Sequence, residues 1–450
     1  MRIKSLELKN FRCFSDFRVD FCLDEGQVGG LTVFVAKNGE GKTAVLDAIN
    51  IAWGTFVGAM PNSRGAGFKS GDARAVFVDG QLVETGRPEL TATFADLESG
   101  FLQGLDGTVQ RTLTSSEKKK TTTVKDARVL SNYAKFLLAK QEERLWPILA
   151  YYGDSRLWAN IKQTRAHAKA YLSTSRKYGY ADATNPSSGY KEFSLWFQSL
   201  CFWIYTERFR RDQSDPSFDA DELERYETFH KVVQKALDVA LEPAGWGGVD
   251  LDSKGVFARN LETREKIQVD RLSAGVRIVL GTVADIAYRC CKLNPMLGRE
   301  AALKTPGIVL IDEIELHLHP VWQQKILPIL RKVFPSIQFI VTTHSPQVVS
   351  SVPKESIRTL KNGKAEQIDT ETQGVEAQNI LCDVFGTNPA PENDEYVQKL
   401  DQYAKMQSHG LADSIEGSRL YEELNAHYGE TYPPLNRIVA LKRLANRLKQ

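Results

Sequence analysis

Apolar residues recur at strand spacing from the start of the chain: Ile3, Leu6 and Leu8, then Phe11, Phe14, Phe17, Val19 and Phe21. This pattern predicts two strands joined around Asn10-Phe11-Arg12. The mostly apolar run Leu31 to Val35 predicts a buried strand, followed by a glycine-rich turn and a helix from near Gly41. Residues 72–94 and 108–123 predict further strands and turns, the second ending in Lys118-Lys119-Lys120 and a threonine-rich hairpin tip. Val129, Tyr133, Phe136 and Leu137 share one face of a helix expected within residues 126–145, and residues 147–152 read as a buried strand. A helical insert is expected next, with the aromatic stretch Trp196 to Phe209 and a helix from Asp219 to Leu241. Strands resume near Gly255, an apolar helix covers Ile278 to Cys291, and Ile308–Ile311 and Phe339–Thr342 read as buried parallel strands. Beyond about Glu376 the chain is polar and helical, with helices expected over Glu395–Met406 and Arg437–Leu448.

The fold class is therefore α/β: a mixed-sheet lobe and a parallel-sheet core carrying a phosphate loop, a helical insert and a helical C-terminal region. Its expected segments are residues 1–154, 155–245, 246–370 and 371–450. A length of 450 residues suits two to three domains. Lys plus Arg (58) nearly balances Asp plus Glu (56), so any basic surface must be local. One such stretch, Arg156 to Lys177, lacks acids and holds Trp158 and Tyr171; it suits nucleic acid, a partner interface or a solvated face. The six cysteines lack C-x-x-C spacing, which favours reduced buried thiols over disulfides or zinc. Neither a signal-peptide pattern nor an apolar run near the roughly 20 residues that span a bilayer is found, so a cytoplasmic protein without a membrane partner is expected.

The chemistry concentrates at two places. Ala36-Lys37-Asn38-Gly39-Glu40-Gly41-Lys42-Thr43-Ala44 lies between strand and helix, where backbone N–H groups and a helix N-terminus favour phosphate. Asn38, Gly39, Glu40, Gly41 and Ala44 form the expected cradle, Lys42 neutralises the β and γ phosphates, and the Thr43 hydroxyl holds Mg²⁺. Ala36 stands at the first motif position, where glycine is usual, so negative φ is expected there. The second place is the end of the strand Ile308–Ile311, which delivers Asp312 to the Mg²⁺ shell and Glu313 as general base toward water. Glu315 either assists or complements a helix dipole. His344 ends the next strand, within reach of a γ-phosphate. His317 and His319, two residues apart, are expected to shape a turn rather than hold metal.

Together these residues resemble the ABC-type ATPase class that includes the RecF, structural-maintenance and OLD families. Lys42-Thr43 match Walker A, Asp312-Glu313 Walker B, Leu272-Ser273-Ala274-Gly275 the signature, Glu315 to Pro320 the D-loop region and His344 the switch histidine. The resemblance implies ATP and Mg²⁺ bound between two heads, with Ser273 and Gly275 of one copy completing the site of another. The opening Leu6 to Arg12 is similar to the first strand of RecF-like heads, which implies Arg12 near the nucleotide. Residues 147–158, Asp383-Val384-Phe385-Gly386 and Gly410 to Ser414 resemble the PtuA ATPases of Septu and retron-associated antiphage systems. That implies a head-to-head dimer or higher oligomer controlling an HNH nuclease, PtuB, with a retron reverse transcriptase and its DNA–RNA product as further partners. The alternative is a RecF-like repair ATPase binding DNA directly. No Toprim-like D-x-D follows His344, so an intrinsic nuclease is not expected, and a transporter motor ranks behind both readings. The C-terminal helices serve either packing or docking of another subunit.

Overall fold

The computed structural model of the chain describes residues 1–448 except 23–27, 62, 98–100, 102–106, 114–120, 124–127, 140–143, 155–174, 187–190, 253–254, 389 and 392. The chain divides into a unit of Met1–Ile380 and a second of Leu381–Gln450.

The first unit is organised by a six-stranded sheet in the order Lys364–Glu366, Ile357–Lys361, Leu31–Val35, Ile337–Thr343, Gly307–Ile311 and Ile148–Tyr152. Neighbours run parallel except for the edge hairpin of Ile357–Lys361 with Lys364–Glu366. Every residue of the four strands on the Leu31–Tyr152 side is buried. Continuous rather than alternating apolar runs are what a parallel sheet covered on both faces requires. The register places Val33 beside Val341, Leu310 beside Ile340 and Tyr151 beside Leu310. At Gly307 the backbone takes φ 147°, and a Cβ there would lie 2.0 Å from the Ile148 carbonyl oxygen, so only glycine starts this strand.

A second, antiparallel sheet runs Phe14–Asp20, Arg2–Phe11, Glu89–Ala95, Gly107–Leu113 and Thr121–Thr123. Here alternation holds, with Leu6 and Leu8 buried between more exposed neighbours. The buried Gln338 side chain joins the two sheets, donating to the Ile3 carbonyl (3.0 Å) and accepting from the Ile3 amide (2.8 Å). A three-stranded sheet of Trp246–Asp252, Gly255–Asn260 and Lys266–Gln268 leads through a short turn to Ser273.

Four helices matter for the site. Lys42–Val57 is buried along most of its length. Ala220–Leu241 begins where the Asp219 carboxylate caps the Glu222 amide at 3.0 Å, and it packs against Lys191–Asp212. Ala274–Leu293 is buried continuously from Ile278 and is therefore a core helix. Within it Arg289 pairs with Asp285 at 2.8 Å and donates to the carbonyls of Gly179 and Ala181, both at 2.9 Å. Asp285 also accepts from the Tyr152 hydroxyl at 2.6 Å, tying this helix to the edge strand of the core sheet.

Arg176 and Lys177 end the acid-free stretch; the rest of that stretch up to residue 174, like Lys118-Lys119-Lys120, lies outside the described residues. Arg176 is not available to nucleic acid. It is buried, donates to the Leu293 carbonyl (2.5 Å) and the Arg144 carbonyl (2.6 Å), and lies over the Trp146 ring. The second unit consists of the helices Glu395–Ser408, Ile415–Tyr428 and Pro433–Leu448 around Tyr403, Leu420, Leu424 and Leu435, with Ile438 packed against them. Side chains from 441 onward, including Lys442, Arg443 and Arg447, lie outside the described residues. No helix among the described residues is long and apolar enough to cross a membrane.

Candidate nucleotide site

The strand Leu31–Val35 and the helix Lys42–Val57 are joined by a turn in which Gly39 (φ 83°) and Gly41 (φ 95°) are left-handed. Ala36 is not among the positive-φ residues, so a methyl fits there, as the sequence requires. Gly41 is doubly constrained, because a Cβ would also lie 2.4 Å from the Phe14 ring and 2.6 Å from Cys13 Sγ. A left-handed non-glycine residue costs on the order of 1–3 kcal/mol before any clash, so Gly41→Ala is expected to weaken ATP binding at least about tenfold. Titration with a fluorescent ATP analogue measures this, with circular dichroism to verify the fold.

Lys42 is nearly buried, and its ammonium donates to the carbonyls of Ala36 (3.0 Å) and Lys37 (3.3 Å). Burial lowers its pKa, against the opposing pull of Asp312, Glu313 and Glu315. The Thr43 hydroxyl donates to Asp312 Oδ2 at 2.8 Å, bringing together residues 269 positions apart. Asp312 continues the Gly307–Ile311 strand, its amide donating to the Tyr152 carbonyl at 2.8 Å.

Sheet order explains why these groups converge. The strands carrying the phosphate loop, the acids and His344 are neighbours, parallel, and all end at one edge, where open α/β sheets bind ligands. Thr342, on the middle strand, donates its hydroxyl to Asp312 Oδ1 and accepts from the Glu313 amide at 2.8 Å. Glu313 itself sits at φ 45°, an uncommon conformation for glutamate that turns the chain out of the strand. Glu315 accepts from the Thr343 hydroxyl at 2.8 Å and from the His344 amide. That anchoring role is invisible in a linear reading; the two polar residues Thr342-Thr343 closing an apolar strand are the only signal of it. His344 has its pKa lowered by burial first and by Lys42 second, against the pull of Glu315, Glu313 and Asp312.

Other expected residues are dispersed around this centre. Arg12, at φ 49°, holds Asp47 of the phosphate-loop helix at 2.7 Å and Asp72 at 2.9 Å, which places it beside that helix with its guanidinium engaged by protein carboxylates. The Glu40 carboxylate accepts from the Asn362 amide at 3.1 Å, Asn38 is exposed and Ala44 is buried. Ser273 is exposed and caps the helix Ala274–Leu293. Gly275 meets the loop after Glu313, where a Cβ would lie 2.7 Å from the His317 carbonyl oxygen. His317 is left-handed (φ 61°) and His319 caps the short helix Pro320–Gln323; both shape the chain here.

Comparison with known proteins agrees with this geometry. A family model described as an AAA domain matches residues 5–232, and a second AAA-domain model, described with a type IV toxin–antitoxin system, matches 160–350. The retron Ec83 probable ATPase of Escherichia coli is 40% identical over 163 residues, 36% of this chain and 30% of that protein. The retron Vc95 probable ATPase of Vibrio cholerae is 25% identical over 95% of this chain and 88% of its own length. The Septu protein PtuA of Bacillus thuringiensis is 29% identical over 31% of this chain and 37% of that protein. Two of these three matches thus span well under half of the relative. Among solved structures, an SMC head bound to the C-terminal winged-helix domain of ScpA superposes with a TM-score of 0.50 at 16% identity, covering 82% of this chain and 98% of that one, a likeness of fold. A phosphate loop, paired acids and a histidine at one edge of such a sheet, matched by an AAA-domain model over half the chain, mean that this protein belongs to the AAA-domain family, with the fold of an ABC-type ATPase head and a sequence likeness to the retron ATPases and PtuA.

Proposed function

We propose that the chain hydrolyses ATP in a cleft completed by a second copy of itself, and that this cycle controls a partner HNH nuclease in antiphage defence. The observation that carries the chemistry is the convergence of Lys42, Thr43, Asp312, Glu313 and His344 at one sheet edge, with Thr43 Oγ1 and Asp312 Oδ2 2.8 Å apart. Those two hard oxygen donors fit Mg²⁺, which when bound neutralises charge on the phosphates. Lys42 and the backbone N–H groups of the turn hold the β and γ phosphates. Glu313 takes a proton from the attacking water as the new bond to the γ-phosphorus forms and the bond to the bridging oxygen breaks. His344 orients the γ-phosphate by a hydrogen bond, and Glu315 holds the His344 backbone amide.

The exposed Ser273, at the N-terminus of a long core helix, supports the shared cleft, since its hydroxyl faces outward where a phosphate held by another copy could meet it. The nuclease partner and the defence role rest on the likeness to retron and Septu proteins. A reverse transcriptase and its DNA–RNA product are the further partners if the system is of the retron kind.

A mixing experiment tests the shared cleft. Lys42→Ala and Ser273→Arg chains are each expected to be inactive alone. Combined, they regain roughly a quarter of wild-type ATPase activity, since half the dimers are mixed and each holds one of two intact sites. A mixture as dead as its parts overturns the shared cleft. Nuclease control is read by cleavage of phage DNA with the HNH protein present, where Lys42→Ala must change the outcome.

A further inference from the structure

Away from the nucleotide site, three side chains from three elements converge: Cys201 from helix Lys191–Asp212, His230 from helix Ala220–Leu241 and Asp250 from strand Trp246–Asp252. A thiol sulfur, an imidazole nitrogen and a carboxylate oxygen all lie within 4.8 Å of one another. His230 Nε2 is 3.2 Å from Asp250 Oδ1, and its ring is held flat on Phe197, with centroids 5.6 Å apart and planes 9° apart. All three residues line one cleft of ≈ 950 Å³, at whose rim Tyr205 and Phe209 are 78% and 64% exposed.

We propose that Cys201, His230 and Asp250 form a binding site for a zinc-class divalent ion with a fourth coordination position open to this cleft. The donor set selects the ion. Sulfur and nitrogen exclude Mg²⁺ and Ca²⁺, which take oxygen, and one S, one N and one O suit tetrahedral zinc. Three protein ligands lining one cleft leave the fourth position for water or an external donor, as in open zinc sites. The Cys201 thiol must lose its proton to ligate. Binding forms the metal–thiolate bond and releases that proton to solvent, so affinity rises with pH. The ion would tie both insert helices to the strand whose sheet leads to Ser273, and Gln268 of that sheet already donates to Asp252 at 3.2 Å.

Cobalt(II) is the probe, titrated into the full-length protein after chelator treatment. A single equivalent per chain is expected to give a near-ultraviolet thiolate-to-cobalt absorption band. The oxygen-only Thr43–Asp312 pair cannot produce that band. It must vanish in Cys201→Ser and persist in Cys13→Ser. Asp250→Asn, at a half-exposed side chain where the fold is under least threat, is expected to weaken cobalt binding at least about tenfold. Absence of the band in the wild-type protein, its survival in Cys201→Ser, or unchanged affinity in Asp250→Asn each overturns the site.

Discussion

Glu313→Gln is expected to bind ATP as the parent does and to lose turnover by about 10²–10⁴-fold, the range contributed by a positioned general base. The amide replaces the carboxylate at the same size, leaves Lys42, Thr43 and Asp312 untouched and keeps the backbone bond from residue 313 to Thr342. What disappears is the ability to accept the proton of the attacking water. The loss should therefore fall on kcat with KM little changed. Phosphate release under saturating ATP, alongside titration with a labelled nucleotide, separates the two. If the proposed pairing of copies holds, the variant also accumulates as an ATP-dependent dimer in light scattering. Ordinary turnover by Glu313→Gln would remove this residue from the reaction.

Arg289→Met is expected to cost about 3–5 kcal/mol of stability, because it strands a buried carboxylate. Arg289 and Asp285 are 2% and 3% exposed, and the guanidinium also satisfies the carbonyls of Gly179 and Ala181. Methionine approximates the volume but donates to none of these groups, and the Tyr152 hydroxyl cannot neutralise Asp285 alone. Urea unfolding followed by circular dichroism reads the loss. A double variant that also replaces Asp285 with leucine should recover much of it, as removing both charges is far less costly than removing one. A single variant as stable as the parent refutes this account.

Much of this architecture is legible in the chain. The mostly apolar runs at Leu31–Val35, Ile308–Ile311 and Phe339–Thr342 announce strands covered on both faces, and the residues that follow each run carry the reacting groups. The helix read from Asp219 does begin under that capping carboxylate, whereas the one read as Ile278–Cys291 runs Ala274–Leu293 from a Ser273 cap. What escapes a linear reading are contacts that only sheet order creates. Thr342 links the two acids because its strand lies between theirs and that of the phosphate loop, and Glu315 reaches Thr343 across the same edge. Arg12 was expected near nucleotide; its partners Asp47 and Asp72 are separated from it by 35 and 60 positions, distances at which spacing says nothing. Cys201, His230 and Asp250 are a similar case, since their separations match no metal-ligand motif and the expectation drawn from cysteine spacing was against zinc. The basic appearance of Arg176 misleads for the opposite reason: a guanidinium can be consumed by carbonyls and an indole face inside a core.

The missing Cβ of Gly275 has a consequence for timing. Because the serine turn rests directly on the His317 carbonyl, the segment leaving the water-activating acid and the segment offered to a neighbouring copy form one mechanical piece. In a pair of heads arranged as proposed, occupancy on one side would be felt on the other, and by thermodynamic reciprocity each would report to its mate equally. In such a pair the two binding events would help or hinder one another, while each intact site keeps its own chemistry.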